Sequence, residues 1–159
     1  HFNRYVQCQS QFHFQMMKYW IAIIVLLLLM STQTRADIVV VVHPLSRLKH
    51  LTQQQVIDIY MGRIHSVGDI DPVIPYDQSQ DSEIRENFYQ FLMGRPIAFI
   101  NAYWARLLFT GRASPPRQVT DNMSIIDIVE KNPNVIGYID ERNLNDRVSV
   151  VFRVVTRAQ

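Results

Sequence analysis

Ile74-Pro75-Tyr76-Asp77-Gln78-Ser79-Gln80-Asp81-Ser82-Glu83-Ile84-Arg85-Glu86-Asn87-Phe88-Tyr89-Gln90-Phe91-Leu92 begins as a short apolar run, passes through small polar residues and goes on as a helix. Ile84, Phe88, Phe91 and Leu92 fall at i, i+4, i+7 and i+8, one face of a 3.6-residue repeat. The stretch therefore reads as strand, turn and helix start. Unpaired backbone N–H groups and the positive end of the helix dipole converge at such a junction, which suits it to hold an anion.

One residue there breaks a local rule. With Ser82 as N-cap, Arg85 stands in the first helical turn, where a positive charge opposes the dipole at a cost of about 0.3 to 1 kcal/mol. A negative partner is expected nearby. Asp77 or Asp81 would make the feature purely structural, whereas an oxyanion held by Arg85, the Ser82 hydroxyl and the first amides would make it a binding site. Both readings stay open. The candidate ligand-binding set is Ser82, Arg85, Asp77, Ser79 and Asp81.

Upstream, Asp37 to His43 is a continuous β-branched run, too uniformly apolar for a surface strand, and Pro44 ends it. Thr52 and Gln55 form a capping box, Leu51 staples to Val56, and the helix carries Val56, Ile59 and Tyr60 inward before stopping at Gly62. Val73 to Tyr76 makes a second strand, with Pro75 placing it at an edge or at its end. The helix from about Ser82 closes at Gly94. Pro96 fits the first turn of the next, whose stripe is Ile97, Ile100, Trp104, Leu107 and Leu108.

Ala113 to Arg117 reads as a stiff surface connection, and Asn122 to Glu130 as a short helix burying Ile125, Ile126 and Val129. Val135 to Ile139 and Val148 to Val155 are strands, joined through a turn at Asn143 to Asp146. The predicted order is strand, helix, strand, three helices, strand, strand. That is an α/β domain with a mixed β-sheet flanked by helices.

Residues 1–15 read as an upstream segment foreign to the fold, and residues 16–36 as a secretory signal peptide: Lys18, an apolar core from Tyr19 to Met30, and a cleavage site at Thr34-Arg35-Ala36. Twelve apolar residues fall short of the roughly 20 that span a bilayer, which disfavours an anchor. The chain from Asp37 to Gln159 carries thirteen basic and fourteen acidic residues, a balance that suggests neither a nucleic-acid-binding surface nor a polybasic membrane patch. Eleven of the thirteen are arginine, which favours planar recognition of carboxylate or phosphate. The single cysteine, Cys8, lies upstream, so residues 37–159 form one domain held by its core, without disulfides.

Signs of catalysis are missing. His43, His50 and His65 lack metal-ligand spacing, so neither metal nor cofactor is expected. Ser46-Arg47-Leu48-Lys49 matches the first motif of serine acylases without the second and third, in a chain too short for that fold. The acids Asp69 with Asp71 and Asp140 with Glu141 sit in turn-like sequence that explains them. No enzyme is expected.

Three stretches resemble the phosphate-binding proteins of ABC transporters, in particular short exported relatives. Leu51 to Gly62 is similar to the family's helix ending in an aromatic turn and glycine. Ser82 and Phe88 have the spacing of its S-G-T-x-x-x-F helix start, and Asn132-Pro133-Asn134-Val135-Ile136-Gly137-Tyr138 resembles its N-P-G-A-I-G-Y strand entry. The resemblance implies part of a type 2 periplasmic-binding fold, in which a serine and helix-start amides grip an oxyanion and an acid accepts the proton of hydrogen phosphate. Asp77 is the nearest acid.

The departures are Glu83 in place of the family's glycine, Asn134 in place of another, and a length near one lobe rather than two. The expected function is a periplasmic, exported protein that binds phosphate or a similar oxyanion for an ABC permease. The alternative is a degenerate single-lobe module that binds another envelope protein, and either is compatible with a homodimer. An open positive concavity at Ser82 favours the first, and Arg85 locked against Asp77 or Asp81 favours the second.

Overall fold

The computed structural model describes residues 37–155 together with Trp20. The segments read as an upstream stretch and a signal peptide therefore lie outside the described residues, apart from Trp20. Five strands form one mixed sheet: β1 (Ile38–Val42), β2 (Ile74–Gln78), β3 (Arg117–Val119), β4 (Val135–Asp140) and β5 (Ser149–Val154), in the order β3-β2-β4-β1-β5. β2 runs parallel to both its neighbours, and β1 runs antiparallel to β4 and β5. The four helices are α1 (Gln53–Tyr60), α2 (Glu83–Met93), α3 (Ile97–Phe109) and α4 (Asn122–Lys131).

β1 is buried along its whole length because both faces of the sheet are covered. Val40 and Val42 join Ile136 and Tyr138 on one face, under α1, α2 and α3. Val39 and Val41 join Val135 and Ile139 on the other, under Ile125, Ile126 and Val129 of α4. The alternation of β-strand side chains thus sorts one uniform valine run into two cores.

Local signals set most boundaries. Both hydrogen bonds of the Thr52–Gln55 capping box form, and Val56, Ile59 and Tyr60 are buried as expected. α2 ends in a left-handed Gly94. Gly62, also left-handed at φ 66°, lies where an added Cβ would stand 2.8 Å from Cη2 of Trp104. At Gly137 an added Cβ would meet Cγ2 of Ile125 at 2.5 Å, so glycine lets α4 approach the sheet.

Four expectations change. β3, within a stretch expected to be loop, extends the sheet past β2. β2 reaches Gln78 and is an inner strand, yet Pro75 is accommodated because β3 pairs only from Tyr76 onward, leaving the proline beside an open edge. Leu108, assigned to the apolar stripe of α3, is 58 % exposed, since only Ile100 and Trp104 of that helix are fully covered. The turn after β4 forms earlier, as a 3-10 turn over Glu141–Asn143, with Asp140 accepting from the Arg142 N–H.

Candidate functional site

β2 and β4 are parallel neighbours whose onward connections diverge: the chain leaving β2 leads to β3 on one side, and β4 lies on the other. In open α/β sheets the crevice beyond the carboxyl ends of two such strands is the usual place for a ligand. Here it is flanked by the turn Ser79–Ser82 after β2, the 3-10 turn after β4 and the start of α4.

The β2 side is built around a buried ion pair. Asp77 is only 2 % exposed, and its carboxylate accepts four hydrogen bonds. Oδ1 takes the Gln78 N–H at 2.9 Å and the Tyr138 hydroxyl; Oδ2 takes Nε of Arg85 at 2.9 Å and the Tyr89 hydroxyl at 3.1 Å. The Tyr138 ring is stacked on Phe88 at 3.8 Å, which holds its hydroxyl on the carboxylate. Burial first, and then the Asp77 charge, push the Tyr89 and Tyr138 hydroxyls well above their ordinary pKa, so both remain neutral donors. The Asp77 charge is thereby fully solvated by the protein.

Arg85 is equally enclosed. Beyond Asp77, its Nη1 donates to Oδ1 of Asn101 on α3 at 3.0 Å. Its Nη2 has no hydrogen-bond partner among the described residues, and the side chain is 4 % exposed. The charge that opposes the dipole of α2 is neutralised by Asp77, while one guanidinium nitrogen makes no hydrogen bond among the described residues.

Above this pair the helix start is open. Ser82 is extended and its carbonyl accepts from Arg85 and Glu86, but its hydroxyl makes no capping bond. The first amides of α2 therefore lack a side-chain cap. The Ser82 N–H donates to the Ser79 carbonyl at 2.9 Å, closing a turn with both serines half-buried. Asp81 stands exposed on that turn and makes no ion pair with Arg85, and Glu83 is exposed at the first helical position. Of the five candidates, the structure joins Asp77 to Arg85 and Ser79 to Ser82, and leaves Asp81 at the rim.

Other residues complete the crevice. The Gln78 side-chain amide donates to Asn122 Oδ1 at 3.0 Å and to the Tyr138 carbonyl at 3.1 Å, and Asn122 Nδ2 donates to Asn143 Oδ1 at 3.0 Å. Gln78, Asn101, Asn122, Asn143, Tyr89 and Tyr138 were not singled out from sequence. Two had a signal: Tyr89 is one helical turn beyond Arg85, and Asn101 interrupts an apolar helix. Among the described residues no group of histidine, cysteine and carboxylate side chains could hold a metal ion. No described helix is long and apolar enough to cross a membrane.

No family model matches the chain, and no curated protein matches it by sequence. Solved structures do resemble it. One, described as a substrate-binding protein of a phosphate ABC transporter from Clostridium perfringens and solved with bound phosphate, superposes with a TM-score of 0.59 at 23 % identity. The match covers 73 % of this chain and 44 % of that one. An ABC-type phosphate transport receptor from Vibrio cholerae gives 0.58 at 20 % identity, covering 73 % and 45 %, and PstS from Borrelia burgdorferi gives 0.55 at 15 %, covering 73 % and 46 %. The chain spans less than half the length of these proteins, and it has the fold of that part of a phosphate-type ABC transporter substrate-binding protein.

Proposed function

We propose that this chain binds an oxyanion of the phosphate type at the start of α2, without covalent chemistry. The observation that carries this reading is the uncapped Ser82 above a buried Arg85 that is held by Asp77 and Asn101 and whose Nη2 has no hydrogen-bond partner among the described residues. Ser82 supplies a hydroxyl, the first amides of α2 supply N–H donors, and Arg85 supplies charge in an orientation fixed before the ligand arrives. Asp77 serves as the counter-charge that positions Arg85, its carboxylate already accepting four hydrogen bonds from the protein. Ser79 and Asp81 belong to the rim, where Asp81 disfavours a second negative charge. Export, a periplasmic location and service to an ABC permease go with this reading, and the fold is shared with proteins described as parts of phosphate ABC transport.

The locked Asp77–Arg85 pair favours a second reading, in which the crevice is a rigid surface for an envelope protein or for a second copy. Calorimetry decides between them. Phosphate should give saturable heat that Ser82→Ala weakens about tenfold, as loss of one charge-assisted hydrogen bond would. No heat with phosphate, sulfate or related anions overturns the first reading. Arg85→Ala is a poor probe, because it strands the buried Asp77 charge and unsettles the fold.

A further inference from the structure

A helix that is apolar on every side is ordinarily buried on every side. α3 is not. Ile100 and Trp104 face the core, but Ala98, Ala102, Ala105 and Phe109 run along the opposite side at i, i+4, i+7 and i+11, all exposed. The line ends in a protruding knuckle in which Phe109 is 94 % and Leu108 58 % exposed.

Charge singles out the same stretch. Between Gly94 and Thr120 the chain has four arginines, Arg95, Arg106, Arg112 and Arg117, and no acid. The remaining described residues carry eight basic and fourteen acidic side chains. None of the four arginines makes an ion pair among the described residues; Arg95 lies over the ring of Phe99, 5.0 Å from its centre. Across the sheet, α4 carries Asp121, Asp127 and Glu130 against Lys131, and Arg147 pairs with Asp127 and Glu130, so that face has no excess of basic charge.

We infer that the outer face of α3 docks on an anionic lipid surface, with Leu108 and Phe109 entering the headgroup boundary and Arg106 and Arg112 meeting phosphates on either side. The charge asymmetry selects the occupant. A second copy applied face to face would set arginine against arginine, and applied head to tail would not close. An extended anionic plane attracts this face, whose arginines have no acid among them, and not the mixed-charge side across the sheet, which sets orientation, and an exposed apolar tip suits a deformable boundary.

The test uses residues 35–159, the compact unit that contains the whole described core, so that the apolar stretch before it cannot contribute. Flotation with phosphatidylcholine vesicles, with and without phosphatidylglycerol, should recover at least about tenfold more protein on the anionic ones at low salt, an excess that high salt removes. Leu108→Ser with Phe109→Ser, and separately Arg106→Glu with Arg112→Glu, should each abolish that excess, while Lys131→Glu on α4 leaves it intact. Circular dichroism should show every variant folded, since the altered side chains lie at the surface. Equal recovery on both vesicles, no recovery, or an excess that the α3 variants leave unchanged overturns the inference. So does a photo-crosslinker at position 109 that traps an acidic protein while vesicles recover nothing; the face would then be a protein interface.

Discussion

Two helices start at the same end of the sheet, α2 after Ser82 and α4 after Asp121, and their starts are closed differently. At α4 the Asp121 carboxylate accepts the Ser124 N–H at 2.8 Å, so the helix carries its own anion. At α2 the capping hydroxyl is idle, the first-turn acids Glu83 and Glu86 stand exposed, and Asp77 is engaged with Arg85. The same backbone geometry is self-satisfied in one place and left receptive in the other. A helix start is a place for an external anion only where the chain has not supplied one.

The sharpest way to break the contrast is at its foundation. Arg85→Ala leaves the Asp77 charge buried beside two neutral tyrosines and should destabilise the fold by about 3 to 5 kcal/mol in urea titration. Replacing both partners, Asp77→Asn with Arg85→Met, should recover a large part of that loss. A double-variant loss equal to the sum of the Asp77→Asn and Arg85→Met losses would mean that the pair is uncoupled.

Displacing α4 comes next. Gly137→Ala drives a methyl into Ile125, and overpacking of this kind costs about 1 to 3 kcal/mol, read as a lower urea midpoint. Phosphate affinity, if it resides at α2, should change little.

Giving α2 the cap that α4 has is a smaller, opposite change. Ser82→Asp should raise stability by about 0.5 to 1 kcal/mol and abolish phosphate heat, because the new carboxylate takes the amides an anion would use. Retained binding in this variant would move the site elsewhere.

The smallest effect concerns pH at α4. The Ser124 backbone and side-chain hydrogen bonds, foremost among the causes, lower the Asp121 pKa in the folded state. Its contribution to stability is thus complete above the ordinary carboxylate range near about pH 4 and fades as pH falls through the lower folded value. Asp121→Ala should remove that part of the acid dependence, visible as a shallower fall of the urea midpoint in acid.

Much of this architecture was legible in the residues themselves. The valine run of β1 could be covered on both faces only in a layered α/β fold, and the Thr52–Gln55 pair marks a helix start by chemistry that needs no tertiary context. β3 was illegible because Arg117 and Gln118 are exposed and polar at a sheet edge, so no apolar alternation marks them. At the site, the anomaly of Arg85 announced a buried or bound anion, but local sequence offered Asp77 and Asp81 equally. The choice is made by Tyr138 of β4, whose hydroxyl donates to Asp77, and by Asn101 of α3, which accepts from Arg85. Contacts of that range leave no periodic trace in the chain.

The antiparallel placement of β1 has a further consequence. Ile38 lies opposite both Asp140 and Val154, and the Glu141 N–H donates to the Asp37 carbonyl at 2.9 Å. The polypeptide therefore enters and leaves the described unit side by side, at the very end of the sheet where β2 and β4 release the turns around Ser82. Asp37 and Val155 both stand at the end of the sheet where the crevice lies. A fluorophore attached at either of these two positions would thus report on its occupancy without touching any residue that lines it.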